Sequence, residues 1–276
     1  MLVTKEQLAT LCETAEMAGR EVMAVYAEDF SASFKADASP LTEADLRADR
    51  VIRHELEAKF PGIFILSEES VSLGLGPSDT FFLVDPLDGT KEFLKRNDEF
   101  TVNIALVHKA KVMAGVVLAP ALGELFFAAP GLGVWKRDGQ GTHAMKVVNF
   151  DEDRPLRVIG SRSHGGGPLS NWLSQLPCQH DFLAAGSSLK FCRIAEGAAD
   201  IYPRFGPTSQ WDTAAAQCVL EVAGGAVTDL VGQTLTYGMD RAVLNPSFVA
   251  AGDSDLLGWV DKSDDASSPA SVTPLM

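Results

Sequence analysis

Phe81-Phe82-Leu83-Val84-Asp85-Pro86-Leu87-Asp88-Gly89-Thr90 changes character halfway: an apolar run gives way to two aspartates set around a proline. A short apolar run bounded by turn residues is the pattern of a buried strand, so Asp85 is expected at its C-terminal end. Pro86 then forces a turn that returns Asp88 to the same side. Gly89 permits close backbone approach, and the chain can open into a helix or turn whose free N–H groups face an anion. Strand ends of this kind are where α/β folds bind ligands. Asp85 and Asp88 would also suit an ordinary capped turn, and Asp-Pro alone would favour that. The whole run after an apolar strand instead points to a metal site. Two carboxylates about 4 Å apart repel by about 4 kcal/mol at an effective dielectric near 20. A hard divalent cation turns that repulsion into attraction, and all-oxygen ligation selects Mg²⁺ or Mn²⁺. Glu68, at the end of the run Ile63-Phe64-Ile65-Leu66, is placed to join them.

Upstream, Leu8, Leu11, Cys12, Ala15, Ala18, Val22 and Val25 recur at helical spacing, which predicts an amphipathic helix over 4–27. A polar loop follows. A second helix starts at Ser39 or Thr42 and runs to about Phe60, where Pro61-Gly62 stops it. Downstream, β segments at 101–108, 112–118 and 124–129, joined by short turns, predict an antiparallel meander. The charged run Asp151-Glu152-Asp153-Arg154-Pro155 reads as a linker into a second lobe. That lobe alternates strands and helices at 156–160, 168–176, 180–184, 187–197, 199–203, 210–223 and 226–229, with a strand near 249–251 and a terminal helix. The expected organisation is an N-terminal lobe over 1–150, a C-terminal lobe over 151–262 and a disordered tail over 263–276, rich in Ser, Asp, Ala and Pro.

With 46% hydrophobic residues in 276, the chain can build a large core. Its net charge of −14 argues against binding long polyanions, which need clustered Lys and Arg. A small phosphate ester remains compatible where cations neutralise the site. Cys12, Cys178, Cys192 and Cys218 are scattered, with no metal-ligand spacing, so reduced thiols and a cytoplasmic location are expected, with peripheral attachment to the inner membrane left open. The most apolar stretch, Val112–Trp135, contains Pro120, Pro130 and Glu124 and suits buried strands better than a membrane span.

Asp85-Pro86-Leu87-Asp88-Gly89-Thr90 resembles the first signature of the lithium-sensitive phosphatase superfamily, which includes inositol monophosphatases, fructose bisphosphatases and bisphosphate nucleotidases. Trp211-Asp212-Thr213-Ala214-Ala215-Ala216 resembles its second, and Ser67-Glu68-Glu69 completes the order. The resemblance covers roughly residues 4–260. It implies an α/β (α+β) fold of layered α/β/α/β type, with the site between two lobes. It implies metal ligands at Glu68, Asp85, the Leu87 carbonyl, Asp88 and Asp212, binding two or three Mg²⁺ (Mn²⁺ as substitute). It also implies a water-activating pair, Thr90 and Asp45. A Thr hydroxyl has no basicity of its own, so a carboxylate and a metal must share the proton. Read without the resemblance, Asp212 is a helix N-cap and Asp45 a solvated helix residue.

Lys91-Glu92-Phe93, Gly160-Ser161-Arg162-Ser163-His164, Gly186-Ser187-Ser188-Leu189-Lys190 and Tyr202-Pro203-Arg204 resemble the bisphosphate nucleotidase branch. The implied reaction is Mg²⁺-dependent removal of the 3′-phosphate from adenosine 3′,5′-bisphosphate, or its sulfated analogue, in sulfate assimilation. Gly89, Ser161, Arg162, Ser163, His164, Gly186, Ser187, Ser188, Lys190 and Arg204, with Glu68, Leu87, Asp88, Thr90 and Asp212, are the expected substrate-binding residues. Hydroxyls and cations of this kind suit a second phosphate, although Ser187-Ser188 would also cap a helix and Arg204 would also pair with a surface carboxylate. An inositol monophosphatase and a catalytically silent phosphate-binding protein are the alternatives. The expected partner is a small phosphate ester, with no nucleic-acid polymer and no transmembrane segment. The sequence does not specify the oligomeric state.

Overall fold

A computed structural model describes residues 2–28, 33–34, 40–70, 78–162 and 167–260. The expected disordered tail, Ser39, Ser163 and His164 lie outside these residues.

Helix α1 (Lys5–Tyr26) begins at Thr4, whose hydroxyl accepts from the Gln7 amide while Gln7 caps the Thr4 N–H in return. Such reciprocal caps satisfy two otherwise unpaired donors. The two-residue strands β1 (Ser33–Phe34) and β2 (Pro40–Leu41) pair antiparallel. Helix α2 (Glu43–Lys59) begins at Thr42, the later of the two expected starts. A seven-stranded sheet follows: β3 (Phe64–Ser67), β4 (Thr80–Asp88), β5 (Thr101–His108), β6 (Lys111–Ala119), β7 (Glu124–Ala129), β8 (Gly133–Asp138) and β9 (Gly141–Ala144), in that spatial order. Only β3–β4 is parallel, and the rest is the predicted meander, longer by β8 and β9. The short helix α3 (Thr90–Leu94) leaves the end of β4.

One expectation needs correction. β4 does not stop at Asp85-Pro86 but keeps pairing with β5 through Asp88, with a bulge between Asp85 and Asp88. The bulge absorbs Pro86, which has no N–H to give the ladder, and re-aims the residues that follow.

The second sheet has the order β11-β10-β12-β14-β13, from β10 (Leu156–Gly160), β11 (His180–Ala184), β12 (Ile201–Arg204), β13 (Ala226–Asp229) and β14 (Phe248–Ala251). Helices α4 (Pro168–Gln175), α5 (Leu189–Ala195) and α6 (Gln210–Val222) connect its strands. The expected terminal helix is a 3₁₀ segment, Ser254–Trp259.

Alternation along the strands sets the layers. Phe82, Val84, Val102, Ile104 and Val116 face α1 and α2. Phe81, Leu83, Ala105, Val107 and Val117 face the opposite way and share one buried cluster with α5, α6 and the inner face of the second sheet. Val158, Ile201, Val249 and Ala251 form the outer face of that sheet, covered by Leu169 and Trp172 of α4 and Leu256 of the 3₁₀ segment. The expected α/β/α/β order is present, with α4 as an additional outer cover. α6 lies very close to the first sheet because of Gly115: a Cβ there would sit 2.2 Å from the Ala215 carbonyl oxygen. Ala214, Ala215 and Ala216 give the helix the matching flat surface.

Candidate active site

The site forms where β4, α2 and the N-terminal ends of α5 and α6 converge. Asp85 is 1% exposed, and one of its oxygens accepts the Leu87 amide at 3.0 Å, which closes the turn. Gly89 has φ +88° and would carry a Cβ 3.3 Å from both the Glu99 carbonyl oxygen and the Ser187 Cβ. A side chain there is disfavoured by conformation and by space.

Asp45 is not the solvated residue its helical position alone suggests. It is 1% exposed and occupies the third position of α2. Its Oδ2 accepts from the Thr42 amide at 2.7 Å and from the Thr42 hydroxyl at 2.6 Å. Its Oδ1 faces the Thr90 hydroxyl at 3.5 Å, and that hydroxyl also lies 3.3 Å from the Leu87 carbonyl oxygen. Asp212 is likewise not an N-cap. It is the third residue of α6, and its Oδ2 accepts the Ser209 amide at 2.8 Å. One oxygen of each acid thus serves its own helix start.

The carboxylates sense one another. Burial raises the Asp85 carboxyl well above the usual range, and Glu68, Asp88 and Asp212 add to it. Desolvation, then Asp88, pushes Asp212 up to about 8. Asp88 rises to about 6 through desolvation, with Lys190 and the Ser188 amide acting in the opposite sense. Crowded acids with so little cationic compensation are the arrangement a divalent cation relieves. The donors available, carboxylate oxygens with the Leu87 carbonyl, are the hard oxygens that Mg²⁺ takes.

A cleft of about 150 Å³ lies beside the acids, lined among others by Asp88, Gly89, Ser161, Ser187, Lys190, Tyr202, Arg204 and Asp212. Lys190 is 6% exposed, and its Nζ donates to the Ser187 and Ala185 carbonyls, bracing the 185–188 loop from within. Ser187 holds φ +45°, and among the described residues its buried Oγ has no hydrogen-bond partner. Among the described residues Arg204 pairs with no carboxylate. It donates to the Gly206 and Pro207 carbonyls, which aligns it along the cleft wall. Arg162 is turned to Glu99, which also accepts the Gly186 amide, and it is not part of the cleft lining. Ser188 starts α5 without a side-chain cap, because its hydroxyl is engaged with Thr101 and Asn103. Those two β5 residues were missed in the sequence. Their only signal was two polar residues at alternate positions in an otherwise apolar strand.

A two-layered sheet fold with clustered acids at a bulged strand end and at a helix start defines a class. The chain belongs to the inositol monophosphatase family, whose profile matches residues 4–260. It is 44% identical over 245 residues to the 3′(2′),5′-bisphosphate nucleotidase CysQ of Salmonella typhimurium, covering 87% of this chain and 98% of that protein. Identity to the protein of the same name from Escherichia coli K12 is 43% over 250 residues, again covering 87% and 98%. Among solved structures, CysQ from Bacteroides thetaiotaomicron aligns with a TM-score of 0.77 at 35% identity, covering 90% of this chain and 97% of that one. The suhB protein of Bartonella henselae aligns at 0.76 and 25% identity, covering 94% and 98%. No helix among the described residues is long and apolar enough to cross a membrane.

Proposed function

We propose that the chain is a Mg²⁺-dependent 3′(2′),5′-bisphosphate nucleotidase that removes the 3′-phosphate from adenosine 3′,5′-bisphosphate, or from its sulfated analogue in sulfate assimilation. The observation that carries the proposal is the pairing of Thr90 with Asp45 beside the Glu68, Asp85, Asp88 and Asp212 acids, next to a cleft lined by Lys190 and Arg204. The similarity to the CysQ nucleotidases supports the substrate class.

Glu68, Asp85, the Leu87 carbonyl, Asp88 and Asp212 are the residues to hold the cations. Mg²⁺ commonly keeps several waters and takes substrate phosphate oxygens, so these side chains would need to supply only part of its ligands. A cation held by these residues would lower the pKa of water and offset charge on the phosphoryl group. Asp45 accepts the Thr90 proton through Oδ1, and Thr90 in turn accepts one from the attacking water. The Thr42 contacts hold Asp45 Oδ2 and leave Oδ1 as the working oxygen. Water forms the new P–O bond as the bond to the ribose oxygen breaks; that oxygen takes a proton from solvent, and Asp45 releases the one it received back to solvent. Arg204 and the 186–188 loop orient the nucleotide, with Ser161 at the rim.

The test is phosphate release from adenosine 3′,5′-bisphosphate, inositol monophosphate and fructose 1,6-bisphosphate, with Mg²⁺ and with EDTA. Preference for the nucleotide, lost in EDTA, is the expected result. Preference for inositol monophosphate sinks the nucleotidase reading, and silence towards all three sinks the enzyme reading.

A further inference from the structure

We infer that Thr101, Asn103 and Ser188 are positioning residues that decide which oxygen of Asp88 is offered to a cation. The inference rests on the metal-dependent reading above. All three residues are buried, at 0%, 1% and 2% exposure. Two donors converge on one atom. Asp88 Oδ2 accepts the Ser188 amide at 2.6 Å and the Asn103 Nδ2 at 3.4 Å, and the Thr101 hydroxyl lies 3.5 Å from it. Among the described residues none of these hydrogen bonds goes to Oδ1.

Counting protons gives the network a direction. A serine or threonine hydroxyl has one proton to donate. The Ser188 hydroxyl gives its proton to Asn103 Oδ1 at 2.8 Å. The 2.9 Å contact between the Ser188 and Thr101 hydroxyls therefore uses the proton of Thr101. With Oδ1 of Asn103 taken as acceptor, its amide nitrogen is turned to Asp88. The chain of donors runs from Thr101 to Ser188 to Asn103 to Asp88, and the Ser188 amide grips the same carboxylate independently.

A carboxylate turns freely about its last torsion, where the energy wells are broad. Donors that saturate Oδ2 stop that rotation and leave Oδ1 as a single, aimed ligand atom. Ser188 also follows Ser187 in the loop that lines the cleft, so one residue fastens the nucleotide-facing loop to the metal-binding strand. Partners that orient a metal ligand typically contribute about 10–100-fold in metal affinity.

The test is calorimetric titration of the full chain with Mn²⁺ and no substrate. Asn103→Leu, of similar volume without the donor, is expected to bind Mn²⁺ about 10–100-fold more weakly. Thr101→Val should weaken binding in the same direction but less, and Thr101→Ser, which keeps the hydroxyl, should bind like the wild type. A merely structural role predicts lower melting temperatures for Asn103→Leu and Thr101→Val with unchanged Mn²⁺ affinity in the folded protein, and that result overturns the inference. Should Asn103→Leu fail to fold, Thr101→Val against Thr101→Ser decides by the same readout. Wild type that binds no Mn²⁺ overturns the metal reading itself, and this inference with it. Wild type that binds while every variant matches it overturns only the positioning.

Discussion

The Thr90 hydroxyl stands 3.5 Å from Asp45 Oδ1, although 45 residues separate them in the chain. Asp45 meets Thr90 because α2 packs against β4, and α3 then starts at Thr90 itself. In Asp45→Asn the amide oxygen can still serve Thr42, so the helix start and the fold should survive. The proton acceptor for Thr90 is gone. A lost general base removes about 10²–10⁴-fold, and the fall should appear in kcat with KM little changed. Steady-state kinetics beside a thermal melt check this. Retention of more than a tenth of the activity would remove Asp45 from the mechanism.

Arg204 makes a separate prediction about selectivity. Its guanidinium is aligned by the Gly206 and Pro207 carbonyls and carries a fixed charge into the cleft. A charge-assisted hydrogen bond contributes about 1.5–3 kcal/mol, or roughly 10–150-fold. Arg204→Ala should lower kcat/KM for adenosine 3′,5′-bisphosphate by that factor. Hydrolysis of a minimal phosphate monoester should fall much less. Equal losses on both substrates would place Arg204 in the scaffold and not in recognition.

Acid should expose a structural ion cluster away from the site. Asp200 is 1% exposed and receives Arg154 and Arg157, which lie 2.6 and 2.7 Å away. Burial acts against its ionisation, but the two guanidinium groups prevail and hold the carboxyl at about 2, below its ordinary 3.8. A depressed folded-state pKa stabilises above the unfolded value, and the contribution is lost as pH falls through the folded one. The difference of about 1.8 units corresponds to about 2 kcal/mol near neutrality. Asp200→Asn should therefore shift the urea midpoint most near pH 6 and about half as much near pH 3. A shift independent of pH would contradict the ion-pair account.

Gly115 tests the packing that brings α6 to the first sheet. A methyl group at this position meets the Ala215 carbonyl oxygen at 2.2 Å and the Cys218 Cβ at 2.8 Å, both within α6. Neither can withdraw without moving the helix. Overpacking of this kind costs about 1–3 kcal/mol, and denaturant melts of Gly115→Ala should show at least that loss. Because α6 also carries Asp212, weaker Mg²⁺ activation should accompany it. A neutral substitution would mean that the helix can step back from the sheet freely.

Much of this protein was legible in the chain because it is local. The apolar run ending in Asp85-Pro86, the 3.6-residue periodicity of 4–27 and the helix stop at Pro61-Gly62 each involve residues a few positions apart. The physics of strands, helix faces and caps acts over such distances without the rest of the molecule. Asp85 and Asp88, with Glu68, were also apparent, since converging carboxylates need a counter-charge, while Asp45 and Asp212 stood out only through the family resemblance. What the sequence left open depends on contacts across the fold. Arg162 reads as a phosphate ligand, and only the fold shows that Glu99 stands beside it. The extension of β4 past Pro86 required the bulge opposite β5. Thr101 and Asn103 look like two interruptions of an apolar strand. They acquire meaning only when the loop before α5, some 85 residues later, places Ser188 between them and Asp88. A side chain's type states what it can donate or accept. Which atom it meets is decided by how the two sheets close on α5 and α6, and no stretch of sequence contains that information by itself.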